Sequence, residues 1–270
     1  MASHAGGAPE QLFGRKEKGS LNRMDEVTTS RAVARPGPGV WAEWLRYVRA
    51  PHLPTARVRF GWAAVGEIGW LLLLDVVVAL PLASGLGWLA ERTGLKTPDF
   101  AVLTKQGPIV TLLVGALLLP IFEEILFRGW LDGRRRHLAM VAALIGLVVS
   151  VAAGTRLLPG PRLLIGAIAG ATAQWVLLGW WLARRAGPIV PGWFAGRFAW
   201  LYFGSALLFG LAHMSNYPLG RPWLLLPFVL PQAFAGLLFG FARVRHGMWA
   251  NIALHSTSNA LFLGLSMSGF

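Results

Sequence analysis

An all-α, polytopic bundle of about seven transmembrane helices is the fold class this sequence predicts, on three observations. The chain of 270 residues is 55% hydrophobic and 14% charged, with mean hydropathy +0.54, too apolar for a soluble domain of that length. Several apolar runs reach the roughly 20 residues that a helix needs to cross a bilayer. The 25 Lys and Arg residues flank those runs instead of forming one basic face, so the net charge of +13 reads as membrane flanks and not as a nucleic-acid surface. The lipid bilayer is thus the expected partner and nucleic acid is not. Cysteine is absent, which excludes disulfides, thiolate nucleophiles and zinc sites with cysteine ligands.

Residues 1–38 are rich in Ala, Gly, Ser, Pro and charge, and are expected to form a disordered cytoplasmic tail. They hold no apolar core of a signal peptide. Residues 39–58 form an interfacial segment. In it Val40, Trp41, Trp44, Leu45 and Val48, with Arg46 and Arg49 alongside, have the spacing of a short helix lying on the membrane surface. Residues 59–270 are the transmembrane domain. Its spans are expected at about Gly61–Trp88, Gly107–Leu131, Leu138–Ala153, Leu163–Leu182, Phe198–His213, Trp223–Phe241 and Met248–Leu265.

The third and fourth spans, about 138–185, make a hairpin whose polar side chains are few, including Ser150, Thr172 and Gln174, with no acid or histidine inside the spans. It is expected at the periphery. Gly166/Gly170 and Gly236/Gly240 are small-xxx-small pairs suited to close helix contact. The tail, Arg134 to Arg136, Arg184, Arg185, Arg197, Arg243 and Arg245 fall on one side of the membrane. Arg92, Lys96, Lys105, Arg156, Arg162 and Arg221 fall on the other. The larger set marks the cytoplasm, giving a multi-pass cell-membrane protein with a cytoplasmic N-terminus and an external C-terminus.

Ionisable groups inside such spans are costly, by about 3 kcal/mol or more each at the helix centre, and are read as functional. The second span carries Glu123, Glu124 and Arg128, and Asp132 is the last acid in the chain. Glu124 and Arg128 are four apart in the favourable order for an intrahelical pair, which leaves Glu123 on a neighbouring face without a partner in its own helix. Glu67 and Asp75, eight apart in the first span, are expected to face a polar cavity or to meet an arginine of another helix. Phe209 and His213 share one helical face, as do His255 and Asn259.

Depth permits these groups to meet. At 1.5 Å per residue, Glu123 lies ~15 Å from Gly133, His213 ~24 Å from Arg197 and His255 ~14 Å from His246.

Glu123-Glu124-x-x-x-Arg128, Phe209-x-x-x-His213 and His255-x-x-x-Asn259 together resemble the three motifs of the CPBP intramembrane proteases. That family includes CAAX prenyl endopeptidases and bacterial Abi proteins linked to bacteriocin processing or immunity. The likeness covers about Thr111 to Leu265 and implies an intramembrane glutamic endopeptidase acting on a membrane-embedded peptide or protein substrate. By it, Glu123 is the general base for water, His213 helps to hold the water, and His255 and Asn259 donate to the oxyanion. Glu124 and Arg128 are the supporting pair.

One departure is plain: in the family the helices bearing the first two motifs are usually consecutive, whereas here the hairpin intervenes. The likeness implies no metal or other cofactor. Zinc is the alternative, because Glu and His are zinc ligands, but there is no His-Glu-x-x-His motif and Asn is a poor ligand. Two other classes stay open: a transporter or proton relay, which predicts repeated halves, and a non-catalytic membrane binding or immunity protein.

Overall fold

The computed structural model describes residues 36–94, 105, 107–157, 160–185, 190–217 and 222–268. The N-terminal tail up to residue 35, Lys96, Arg221 and Phe270 lie outside the described residues. Among the described residues the fold is helical throughout: α1 (Gly39–Arg49), α2 (Trp62–Thr93), α3 (Pro108–Arg128), α4 (Arg135–Leu157), α5 (Pro161–Arg185), α6 (Phe198–Ala212), α7 (Leu230–His246) and α8 (Met248–Met267). A one-turn helix precedes α6, and short helical turns at Pro222–Leu225 and Leu226–Val229 lead into α7.

Six helices among the described residues are long and apolar enough to cross a membrane: α2, α3, α4, α5, α6 with its terminal turn, and the Trp223–His246 segment containing α7. This is a multi-pass membrane protein. The segment expected as a seventh span is helical, the 20-residue α8, about 30 Å long at the helical rise. It is not among those six, and it carries Asn251, His255, Ser256, Thr257, Ser258 and Asn259 within nine positions.

α8 packs against α2, α3 and α7, and α6 packs against α7. Glycine makes the α6–α7 approach close. A Cβ at Gly236 would stand 3.1 Å from the Ala206 Cα, and one at Gly240 would stand 2.8 Å from the Tyr202 ring, whose hydroxyl donates to the Leu237 carbonyl. A Cβ at Gly166 or Gly170 would meet nothing within 4 Å, so that second pair is not a contact seam. Gly236→Leu should therefore wedge α6 from α7 and cost about 1–3 kcal/mol or more, read as a lower unfolding temperature in detergent. Gly166→Leu should leave that temperature unchanged.

α1 stands where the sequence places a short helix. Its Val40, Trp44 and Tyr47 are buried against the bundle, and Trp41 donates its indole N–H to the Trp70 carbonyl at 2.6 Å. Tyr47 meets Tyr202 and Phe241 edge-on or tilted, and Trp44 meets Phe234. Val40, Trp44 and Tyr47 thus join the bundle's core, while Leu45 stays exposed.

The α4–α5 hairpin stands at the periphery. Its helices pack mainly on each other, with Gly146 beneath the Trp175 ring and the Trp175 indole donating to Ser150 at 2.9 Å. Among its described residues only Val141, Ala143 and Gly179 are buried.

Candidate functional site

Within α3 the backbone widens before it reaches the acids. Residues Leu112–Leu118 form a π-helical stretch, with the Leu119 N–H reaching the Val114 carbonyl five residues back. Pro120 follows directly. It has no N–H to return to Ala116, and its ring crowds that carbonyl, so a wider local turn is the expected accommodation. From there α3 is regular through Arg128. Glu124 and Arg128 consequently face inward and are both fully buried, joined as an ion pair.

The far side of that pair belongs to α8. The His255 Nδ1–H donates to Glu124 Oε1 at 2.8 Å, and the Asn251 amide donates to Glu124 Oε2. Glu124 is thus surrounded by three donors from two helices. Arg128 Nε and Nη2 have no hydrogen-bond partner among the described residues. Its guanidinium instead lies 4.2 Å from the Phe209 ring centroid and 5.4 Å from that of Phe239, a cation–π arrangement in a desolvated setting. Phe209 also meets His213 and His255 edge-on, with ring centroids 4.7 and 5.5 Å apart. That position, four before His213, braces three polar residues at once.

Glu123 points elsewhere. Its side chain is a quarter exposed and borders a cavity of about 480 Å³, together with Asp75, His213, His255, Ser258 and Asn259. The Glu123 Oε2 lies 3.6 Å from His255 Nε2. His213 sits where α6 tightens into a 3₁₀ turn, and its Nδ1–H donates to the Phe209 carbonyl at 2.8 Å. A carbonyl only accepts, so in neutral His213 the Nε2 is the acceptor. Asn259 gives one amide hydrogen to the Gly115 carbonyl, in the π-helical stretch, at 2.9 Å. Glu123, Glu124, Arg128, Phe209, His213, His255 and Asn259 therefore lie together at one end of the cavity or directly behind its wall.

A protein-family description, type II CAAX prenyl endopeptidase Rce1-like, matches residues 105–261, more than half of the chain. The chain belongs to that family. No curated protein and no solved structure matches it. The Rce1-like match covers every residue of the three motifs.

Two further residues of this Rce1-like site escaped sequence reasoning. Asn251 is fully buried against Glu124, and the signal for it was the four-residue period Asn251, His255, Asn259 along one face of α8. Ser258 donates to Asp75 Oδ2 at 2.6 Å, so Asp75 faces the cavity wall. Glu67 instead takes a bidentate Arg245 at 2.9 and 3.0 Å, and is not part of the site. Of the two alternatives foreseen for these acids, each took one. The α4–α5 hairpin lends no residue to the cavity lining, and the motif helices on either side of it in the chain remain in contact. Among the described residues no group of three His, Asp or Glu side chains has a spacing that could hold a metal ion.

Proposed function

We propose that this chain is an intramembrane glutamic endopeptidase in which Glu123 activates water for attack on a peptide carbonyl. The observation that carries the reading is the division of labour between adjacent acids. Glu124 is enclosed by Arg128, His255 and Asn251, while Glu123 faces the cavity with His213 and His255 beside it.

The 3.6 Å between Glu123 and His255 is too long for a direct hydrogen bond and suits a shared water. Glu123 takes a proton from that water as its oxygen bonds to the carbonyl carbon. His213, with Nε2 free to accept, orients the water's second hydrogen. His255 has its Nδ1–H committed to Glu124, so it donates from Nε2 only as an imidazolium. In that state Glu123, Glu124, Arg128 and His255 sum to zero charge, and the imidazolium joins the second Asn259 N–H in holding the oxyanion. The carbon–nitrogen bond then breaks, and the proton held by Glu123 passes to the departing amine.

The family description points to prenylated CAAX tails as one substrate class. The cavity lining combines polar groups with Phe239, Phe262 and Leu263, which suits a peptide with an apolar side chain or lipid. The test is cleavage of membrane-associated reporter peptides, prenylated and unprenylated, by purified protein in detergent or liposomes. Turnover should survive a strong chelator. Loss of turnover on chelation, restored by zinc, would replace the glutamate-activated water with a metal-bound one.

A further inference from the structure

We infer that the recess between α3, the α4–α5 hairpin and α6 holds one acyl chain of a phospholipid with an anionic headgroup, whose phosphate lies against Arg135, Arg136 and Arg197. The occupant belongs to the surrounding bilayer and is not a substrate, so the inference stands apart from the protease reading.

The recess has a volume of about 400 Å³ and shares no lining residue with the cavity that Glu123 borders. α4 lines it with Leu138, Val141, Ala142, Ile145, Val148 and Val149, one stripe at helical spacing. Leu126 and Phe127 of α3 and Leu208 of α6 complete the apolar walls. Ser205 also lines it, but its hydroxyl already donates to the Phe127 carbonyl at 2.8 Å. An occupant is therefore held by hydrocarbon contact. From Leu138 to Val149 the stripe rises about 16 Å along the axis. Half of a bilayer's hydrocarbon core is about 15 Å, so the stripe matches one acyl chain in one leaflet.

The charge at the Leu138 end selects the headgroup. Arg135 and Arg136 begin α4 within a turn of Leu138, and Arg197 directly precedes α6. Phe194 draws the two lead-ins together: it meets Trp130 edge-on at 6.2 Å, and a Cβ at Gly133 would stand 2.7 Å from its ring. Trp130 itself lines the recess, as a ring at headgroup level does in an aromatic belt. The nearby acid, Asp132, is already taken by Arg57 at 3.4 Å, His137 at 2.7 Å and Arg243 at 3.4 Å. No Asp or Glu follows it in the chain. Arg135, Arg136 and Arg197 are exposed and have no carboxylate partner among the described residues. A zwitterionic headgroup would bring its own cation to this cluster, whereas one with a phosphate and no ammonium complements it.

The lipid joins the hairpin to the bundle. Its chain fills the space between α4 and α6 and rests on Phe127, which meets Phe209 edge-on at 5.4 Å. Phe209 is the ring that lies over the Arg128 guanidinium. An occupied recess thus steadies the aromatic pair behind the buried Glu124–Arg128 ion pair without entering the cavity beside it.

The test uses the full chain, delipidated in detergent and then supplied with phosphatidylglycerol or phosphatidylcholine. Bound lipid is counted by native mass spectrometry, and stability is followed as the unfolding temperature. Phosphatidylglycerol should be retained in preference to phosphatidylcholine and should raise the unfolding temperature. Arg135→Gln with Arg136→Gln should weaken its binding about fivefold for each arginine removed. Ala142→Trp, which fills the recess and leaves the charge in place, should lose the bound lipid as well. In phosphatidylcholine both variants should unfold where the unsubstituted chain does, which separates a lost site from a damaged fold. The two arginine side chains are exposed, so that variant keeps the test decisive if Ala142→Trp fails to fold. Equal retention of the two lipids, or unchanged retention in the arginine variant, overturns the headgroup assignment. Unchanged retention in a folded Ala142→Trp overturns the recess. Inorganic phosphate that stabilises as much as the lipid reduces the site to an ion site, and displacement by a prenylated peptide reassigns the recess to substrate; either result overturns the inference.

Discussion

Glu123→Gln should abolish turnover while leaving the protein folded. The amide keeps the shape of the carboxylate, and the buried Glu124–Arg128 ion pair stays intact. It cannot take a proton from water. A positioned general base contributes typically 10²–10⁴-fold, and the loss should be at least of that order. The measurement is kcat per folded molecule, with folding checked by thermal unfolding and by elution as a monodisperse species. A folded Glu123→Gln protein that still cuts would remove the glutamate mechanism.

Glu124→Gln, one residue on, should fail in a different way. Its carboxylate answers Arg128, His255 and Asn251 together, in a setting with no solvent exposure. Breaking a buried pair by removing one partner costs about 3–5 kcal/mol, because the remaining charge is uncompensated. The expected result is low yield and a sharply lower unfolding temperature. Adding Arg128→Met to Glu124→Leu should recover much of the stability, since an apolar pair of similar size is tolerated in place of a buried ion pair. Activity should not return, because His255 would lose the acceptor that fixes its ring. Equal stability for Glu123→Gln and Glu124→Gln would contradict the division between the two acids.

Much of this arrangement was legible from local spacing. The i, i+4 geometry of α3 assigned Arg128 to Glu124 and left Glu123 to other helices, and the axial rise put His213 and His255 within reach. What stayed hidden depends on long-range contacts. Asn251 reaches an acid 127 positions away in the chain, and its spacing had no visible meaning until that partner was placed. Gly166 and Gly170 match Gly236 and Gly240 in pattern, yet only the second pair meets another helix, since spacing does not say which side is lined by a neighbour. The inward face of α1 is hidden for a related reason: an amphipathic helix fits equally well against lipid or against a bundle. The π-helical stretch before Pro120 follows from local chemistry, and a proline inside an apolar run was the available sign of it.

The polarity of α8 has a consequence for how the protein is made. A segment bearing two asparagines, a histidine and three hydroxyl residues within nine positions partitions poorly into lipid by itself, because each unpaired polar group is costly there. Its amides and imidazole find their acceptors only on helices synthesised earlier, Glu124 and the Gly115 carbonyl among them. Retention of α8 in the bilayer during biosynthesis therefore depends on docking into a partner surface that the ribosome has already delivered. Since α8 also brings His255 and Asn259, a nascent chain lacking it holds only part of the proposed site, and under that proposal the act that finishes membrane integration is the one that arms the protein.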